Sequence, residues 1–247
     1  MSKQDDTPEV IQARYYSDTA SHYNSMHNAD TGDEHYESLR LIEALSKQHG
    51  FATFLDVGAG TGRGVRFLLE KGWHVRGVEP VQALIDIAEA TGIPSGIILN
   101  DSGYILPFED NSFDVVVEFG VLHHVQNPSL MVSEMTRVAR RAVFLSDSNR
   151  FGQGVMWFRW LKLVLFKIRL WNLARFVQTK GKMYSISIED GLYYSYSVFD
   201  SYEQLAKWAD SLFCISTDPR CYLNSWFNPL ITSASVLLCA LKKNSPS

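Results

Sequence analysis

The sequence predicts an α/β fold, a mostly parallel sheet with helices on both faces. Three features predict it. Between residues 53 and 146 short apolar runs alternate with helix-length stretches, a glycine cluster (Gly58, Gly60, Gly62) follows the first run, and the run at 113–119 is strongly apolar. Strands separated by helices of this length imply right-handed crossovers and parallel pairing. Strands buried on both faces read as continuous apolar runs.

In chain order, residues 9–27 read as a helix carrying Tyr15, Tyr16 and Tyr23, and 35–49 as a second helix with Gly50 as its C-cap. The run FATFLDV is a buried strand entering the glycine turn. A helix at 62–71, a strand at 74–78, a helix at 81–90 and a strand at 96–99 follow. A loop through Pro107 leads to the strand at 113–119, a helix at 129–138 and a fifth strand at 142–146. After Ser148 the rhythm changes: 151–178 is rich in Trp, Phe and Leu, and the last fifty residues give a helix at 201–212 and strands at 213–216 and 234–241. With no internal repeat or low-complexity linker, 151–197 reads as an insertion into one domain spanning 1–247.

The 247 residues, 46% hydrophobic and 20% charged, suit one globular domain with its own core. Cys214, Cys221 and Cys239 are odd in number and lack CxxC spacing, which points to reduced thiols and neither a disulfide framework nor a zinc site. The polar start MSKQDDTPEV lacks the basic and apolar regions of a secretory signal, so the expected location is cytoplasmic. The net charge of −4 conceals an asymmetry. Residues 148–188 hold eight basic and no acidic side chains; the remainder holds fifteen basic against twenty-seven acidic.

The chemistry concentrates where strand one ends. Glycine permits φ > 0 and lets main chain approach a ligand without a Cβ, and the next helix presents its first N–H groups there. Glu79 ends the neighbouring strand in GVEP, where a carboxylate can accept both hydroxyls of a ribose. Asp101 lies just past strand three.

FLDVGAGTG, then GVEP, then LPFEDNSFDVVVEFGVLHHV, in that order, resemble the motifs of class I S-adenosylmethionine (SAM) dependent methyltransferases, the UbiE-like small-molecule group in particular. The resemblance covers roughly residues 10–147. It implies a Rossmann-like class I methyltransferase fold: a mostly parallel seven-stranded sheet, lid helices within 1–50, and a helical cap at 151–197 inserted after strand five. It implies SAM as cofactor. Gly58, Ala59 and Gly60 would meet its methionyl part, supported by Asp56; Glu79, followed by Pro80, would hold the ribose; Asp101 and Ser102 would edge the adenine. Phe119 would lie beside the methyl donor, and Tyr16 and Tyr23, in YYSDTASHY, would close over it. The spacing from Asp101 to Leu106 is one residue longer than the family's, and the family's glycine pair before strand five is missing.

Two readings stay open at several positions. His123 or His124 is either a base that takes a proton from the acceptor or a packing residue. Asp147 and Asn149 either orient substrate or hold a turn, and Trp157 is a weaker substrate candidate. G-x-G-x-G after Asp56 is not the G-x-G-x-x-G of a nicotinamide site, so an oxidoreductase is the remoter alternative and a non-catalytic SAM-binding or partner-binding module the nearer one. No metal site is expected.

The insertion is the least decided segment. Five cations, Arg159, Lys162, Lys167, Arg169 and Arg175, interrupt its aromatics and argue against a membrane span. At 100° per residue they spread around a helical wheel, so a clean amphipathic membrane helix is not expected. The insertion reads as a cap whose aromatics pack onto the sheet beneath solvated cations, as a site for a hydrophobic acceptor bearing phosphate or carboxylate, or as a membrane-surface contact. Expected partners are a small-molecule or lipid-like acceptor and, given the acidic body, no nucleic acid.

Overall fold

The computed structural model describes residues 7–27, 34–187, 191–218 and 226–243. Five parallel strands, β1 (Thr53–Val57), β2 (His74–Val78), β3 (Ile98–Leu99), β4 (Phe113–Phe119) and β5 (Ala139–Ser148), form the sheet foretold by the apolar runs. Two more, β8 (Ser211–Ser216) and β9 (Ser235–Leu241), complete seven in the order β3-β2-β1-β4-β5-β9-β8. β9 is antiparallel to both of its neighbours. Its seven residues are all buried, as a strand covered on both faces requires.

Helices α3 (Arg63–Glu70), α4 (Gln82–Ala90), α5 (Pro128–Val138) and α8 (Tyr202–Trp208) cover the faces, with α2 (Glu34–His49) beside α3. Two apolar layers result, one around Leu55, Val116, Val143 and Leu238, the other around Phe54, Val115, Phe144 and Leu237. Gly50 closes α2 at φ +63. α5 runs directly into β5, which begins three residues before the expected start because Ala139 already pairs with Phe113. β3 is shorter than expected, two residues, since the chain at 96–97 still turns.

Two elements roof the carboxyl ends of the strands. Helix α1 (Pro8–His27) packs on α4 and on the cap. The cap consists of α6 (Met156–Lys167), α7 (Trp171–Gln178) and a hairpin, β6 (Tyr184–Ser187) with β7 (Gly191–Tyr194), that the sequence reading missed. An antiparallel bridge between Asn149 and Ser197 closes its base.

The cap corrects one expectation. Its polarity is mixed and does not put all aromatics inside and all cations outside: Lys162 and Arg175 are buried and Lys167 and Arg169 exposed, while Trp157, Phe158, Leu173 and Val177 are exposed. Lys162 Nζ turns inward because it donates to the carbonyls of Arg150 and Gln153 and so ties α6 to the turn after β5. Cys214 and Cys239 are free thiols; Cys221 lies outside the described residues.

Candidate active site

Gly58, Gly60 and Gly62 adopt φ of +77, +54 and +78, so the turn after β1 folds in a conformation that side chains disfavour. At Gly58 a Cβ would also come within 2.4 Å of Val121. The bare main chain faces a cavity of about 410 Å³ at the strand ends, lined by Gly58, Gly60, Glu79, Pro80, Ser102 and Phe119 and roofed by Pro8, Val10 and Tyr16 of the chain's start.

Glu79 is locked in place. Its two carboxylate oxygens accept the Gly60 N–H at 3.0 Å and the Val81 N–H at 2.9 Å. Burial raises its pKa to about 7, against the pull of those two donors. Asp56 is buried beneath the turn and outside the cavity lining, and burial raises its pKa to about 7, with Arg63 opposing. Ala59 packs in the core, and its N–H and that of Gly58 both donate to the Val78 carbonyl, tying the turn to β2. Asp101 is also outside the lining: its carboxylate accepts the Ser102 N–H at 2.7 Å and so shapes the edge that Ser102 presents. Arg137 secures that loop from below by donating to the carbonyls of Leu106 and Phe108.

The histidines sit in a short 3-10 turn, Leu122–His124, four residues before α5. His124 lines the cavity. Its Nδ1 lies 2.7 Å from the Leu192 carbonyl and 3.1 Å from the Gln12 amide nitrogen. Gln12 of α1 accepts the Leu192 N–H at 2.6 Å, joining lid and cap beside this ring. His123 pairs through Nδ1 with Asp147 at 2.6 Å. Asp147 is fully buried; burial pushes its pKa up, but the His123 contact and the Ser148 N–H outweigh it and hold the carboxyl low.

Sequence reasoning overlooked Glu118, although a lone acid within VVVEF is a visible signal. It is buried, its Oε2 accepts the Val121 N–H at 3.0 Å, and burial together with the Asp147 charge drives its pKa well above the carboxylate range. Asn149 is a fold residue: its amide donates to the carbonyls of Leu230 and Ser233 and accepts from Ser197 Oγ and Phe151 N–H, which holds the turn after β5. Trp157 is 68% exposed on the outer face of α6, away from both cavities described here. The side chain of Tyr23 lies outside the described residues. Among the described residues no cluster of His, Cys, Asp and Glu is arranged to hold a metal.

A family model described as a methyltransferase domain matches residues 55–145, the segment that builds the glycine turn, Glu79 and the histidine turn. Residues 55–145 are thus similar to a methyltransferase domain. An uncharacterized methyltransferase of Mycobacterium bovis is 35% identical over 86 residues, 35% of this chain and 35% of that protein. The match thus spans about a third of the length of that curated relative. The magnesium protoporphyrin IX methyltransferase of Synechocystis, crystallised with S-adenosylhomocysteine (SAH), superposes with TM-score 0.61 at 15% identity, covering 96% of this chain and 100% of that one. The cyclase SpnF superposes with TM-score 0.59 at 13% identity, covering 97% and 98%. These two likenesses are of fold, and a cyclase among them shows that this fold alone does not dictate methyl transfer.

The family match ends at residue 145, so the cap lies beyond it. Under the cap is a second cavity of about 580 Å³. It shares Pro8, Val125, Gln126 and Tyr194 with the first, so the two adjoin.

Proposed function

We propose that the protein transfers a methyl group from SAM to a small-molecule or lipid-like acceptor seated beneath the cap. The observation that carries this reading is the cavity at the ends of β1, β2 and β4, where bare glycine main chain, a fixed carboxylate and an aromatic residue converge. Those groups fit the cofactor. The Glu79 oxygens each use one lone pair on a backbone N–H and retain acceptor capacity for ribose hydroxyls. The glycine turn leaves room for a methionyl chain, and its volume lies in the range of small-molecule sites.

SAM supplies an electrophilic methyl: the acceptor's nucleophile bonds to that carbon as the carbon–sulfur bond breaks, the electron pair remaining on sulfur. The chain's own residues bind, align and exclude water. Glu79 and the Gly58–Gly60 turn fix one partner at the strand ends, and Phe119 and Tyr16 close that cavity with apolar surface. Holding the two reactants in line supplies most of the rate, through the entropy that binding has already spent. His124 faces the same cavity and is a candidate to accept an acceptor proton. His123, held by Asp147, is the other candidate base.

The test is methyl-labelled SAM incubated with the protein and fractionated cell extract. Label recovered in an organic or small-molecule fraction, with equimolar SAH, supports the reading. SAH binding with no label transferred from any fraction would identify a binding module instead.

A further inference from the structure

We propose that Arg175 anchors the acceptor by an anionic oxygen group, a carboxylate or a phosphate, in the cavity beneath the cap. The proposal rests on the methyl-transfer reading above and names the chemistry of its acceptor. Arg175 is 8% exposed on α7 and lines the 580 Å³ cavity. Its only side-chain partners among the described residues are neutral: Gln178 Oε1 at 3.0 Å and Ser185 Oγ at 3.4 Å. Its Nε and the Trp171 indole Nε1 are buried with no acceptor. Together with Arg150 Nε, three donors on residues that line this cavity are without an acceptor.

The contrast with Arg150 sharpens this. Arg150 lines the same cavity and is equally buried, but Asp200 and the Ser195 carbonyl take its terminal nitrogens. Asp200 is the one carboxylate among the described lining residues, and Arg150 occupies it. Lys182 lines the cavity too, and no described carboxylate besides Asp200 lines it. A buried guanidinium without a counter-charge is costly, by several kcal/mol. Its fork of donors matches carboxylate and phosphate oxygens. Phe166, Trp171 and Tyr184 supply apolar and ring surface for the rest of the acceptor, which then extends toward the shared wall at Val125 and Tyr194 and the methyl-transfer cavity beyond.

The test uses the full chain, wild type, Arg175→Met and Arg175→Lys, in thermal-shift titrations with inorganic phosphate and separately with benzoate, each with and without saturating SAH. We expect a rise in Tm with one or both anions in the wild type, most of it lost in Arg175→Met and part of it kept in Arg175→Lys, with SAH affinity equal in all three. A response to one anion alone says which group the acceptor carries. No anion response, or an equal response in wild type and Arg175→Met, would overturn the proposal. Failure of SAH to bind would count against the methyl-transfer reading, while the anion series without SAH still decides the role of Arg175.

An independent observation concerns the outer face of the cap. Trp157, Leu173, Phe176 and Val177 are exposed there at 54–70%, and Trp160 packs edge-on against Phe227 at 4.8 Å, which brings the exposed Trp226–Phe227 loop to the same side. Lys167, Arg169 and Lys180 are exposed on the same segment. We infer that this face rests on an anionic bilayer surface. Exposed tryptophan and aliphatic side chains beside Lys and Arg are the composition of an interfacial anchor. No described helix is long and apolar enough to cross a membrane, so the contact is superficial. Sedimentation with phosphatidylcholine vesicles, with and without phosphatidylglycerol, tests it. We expect binding that requires the anionic lipid, weakens with salt and falls at least tenfold in Trp157→Glu/Val177→Glu. No binding to anionic vesicles, or a dimer in light scattering that the double variant abolishes while vesicle binding persists, would overturn it.

Discussion

The Asp147 carboxylate grips His123 twice, taking Nδ1 of the ring at 2.6 Å and the backbone N–H at 3.2 Å. Because Asp147 ends β5 and His123 sits in the turn after β4, the pair spans two adjacent strands and fixes the imidazole against the sheet. The carboxylate sets the tautomer, leaving Nε2 as the acceptor nitrogen.

Asp147→Asn removes the charge while keeping the shape. The His123 imidazolium should then lose its proton at lower pH, as read by NMR titration, because the compensating charge has gone. If His123 is the base, kcat falls by about a hundredfold with SAH affinity unchanged; if it is a packing residue, only the titration moves. The stability effect has a definite sign. With its folded pKa below the ordinary 3.8, Asp147 contributes stability that is present above that pH and lost as pH falls below it. The wild type should therefore lose stability across that acid range more steeply than Asp147→Asn.

Glu79 makes SAH binding pH-dependent. Burial raises its folded pKa to about 7, so without ligand its carboxyl favours the folded state most below the ordinary 4.5, an advantage lost as pH rises through about 7. Ribose hydroxyls donate to the ionised form, so binding below pH 7 releases a proton and affinity rises with pH until about 7, then levels. Calorimetry at several pH values should show this rise, and Glu79→Gln should flatten most of it. Glu79→Ala should weaken SAH binding at pH 8 by about tenfold or more, the scale of lost hydrogen bonds to a charged group. Unchanged affinity would show that Glu79 is not the ribose anchor.

Docking of the lid depends on a glycine in the cap. At Gly191, φ +67, a Cβ would stand 2.6 Å from the Tyr15 ring and 2.8 Å from Gln12 Oε1. Gly191→Ala should lift α1, at a cost of about 1–2 kcal/mol for the left-handed backbone alone. Hydrogen exchange should then speed up in residues 8–19 and SAH affinity should fall, since Pro8, Val10 and Tyr16 roof its cavity. Unaltered protection of α1 would show that the glycine is not needed there.

These residues also mark how far the sequence could be read. Phe113–Phe119 forms the strand expected of it because the run is mostly apolar and buried, a local pattern that tertiary contacts do not overturn. Glycines at φ > 0 and Glu79 at a strand end were legible for the same reason: each follows from one strand and its own turn. Gln12, Gly191 and His124 meet only through the fold, with 180 residues between Gln12 and Leu192. Arg175 and Trp157 were misjudged because both the wheel and the usual rule assume cations outside. Whether Arg175 points inward depends on the cavity formed by β6, β7 and the turn after β5, which no local pattern encodes. Trp157 was sought at the site because it is aromatic, and it stands on the opposite surface.

The account stands most directly on calorimetric titration of the intact protein with SAH. It predicts one site per chain, with an affinity that rises up to about pH 7 and is weakened by Glu79→Ala. An absence of binding across that pH range would contradict it.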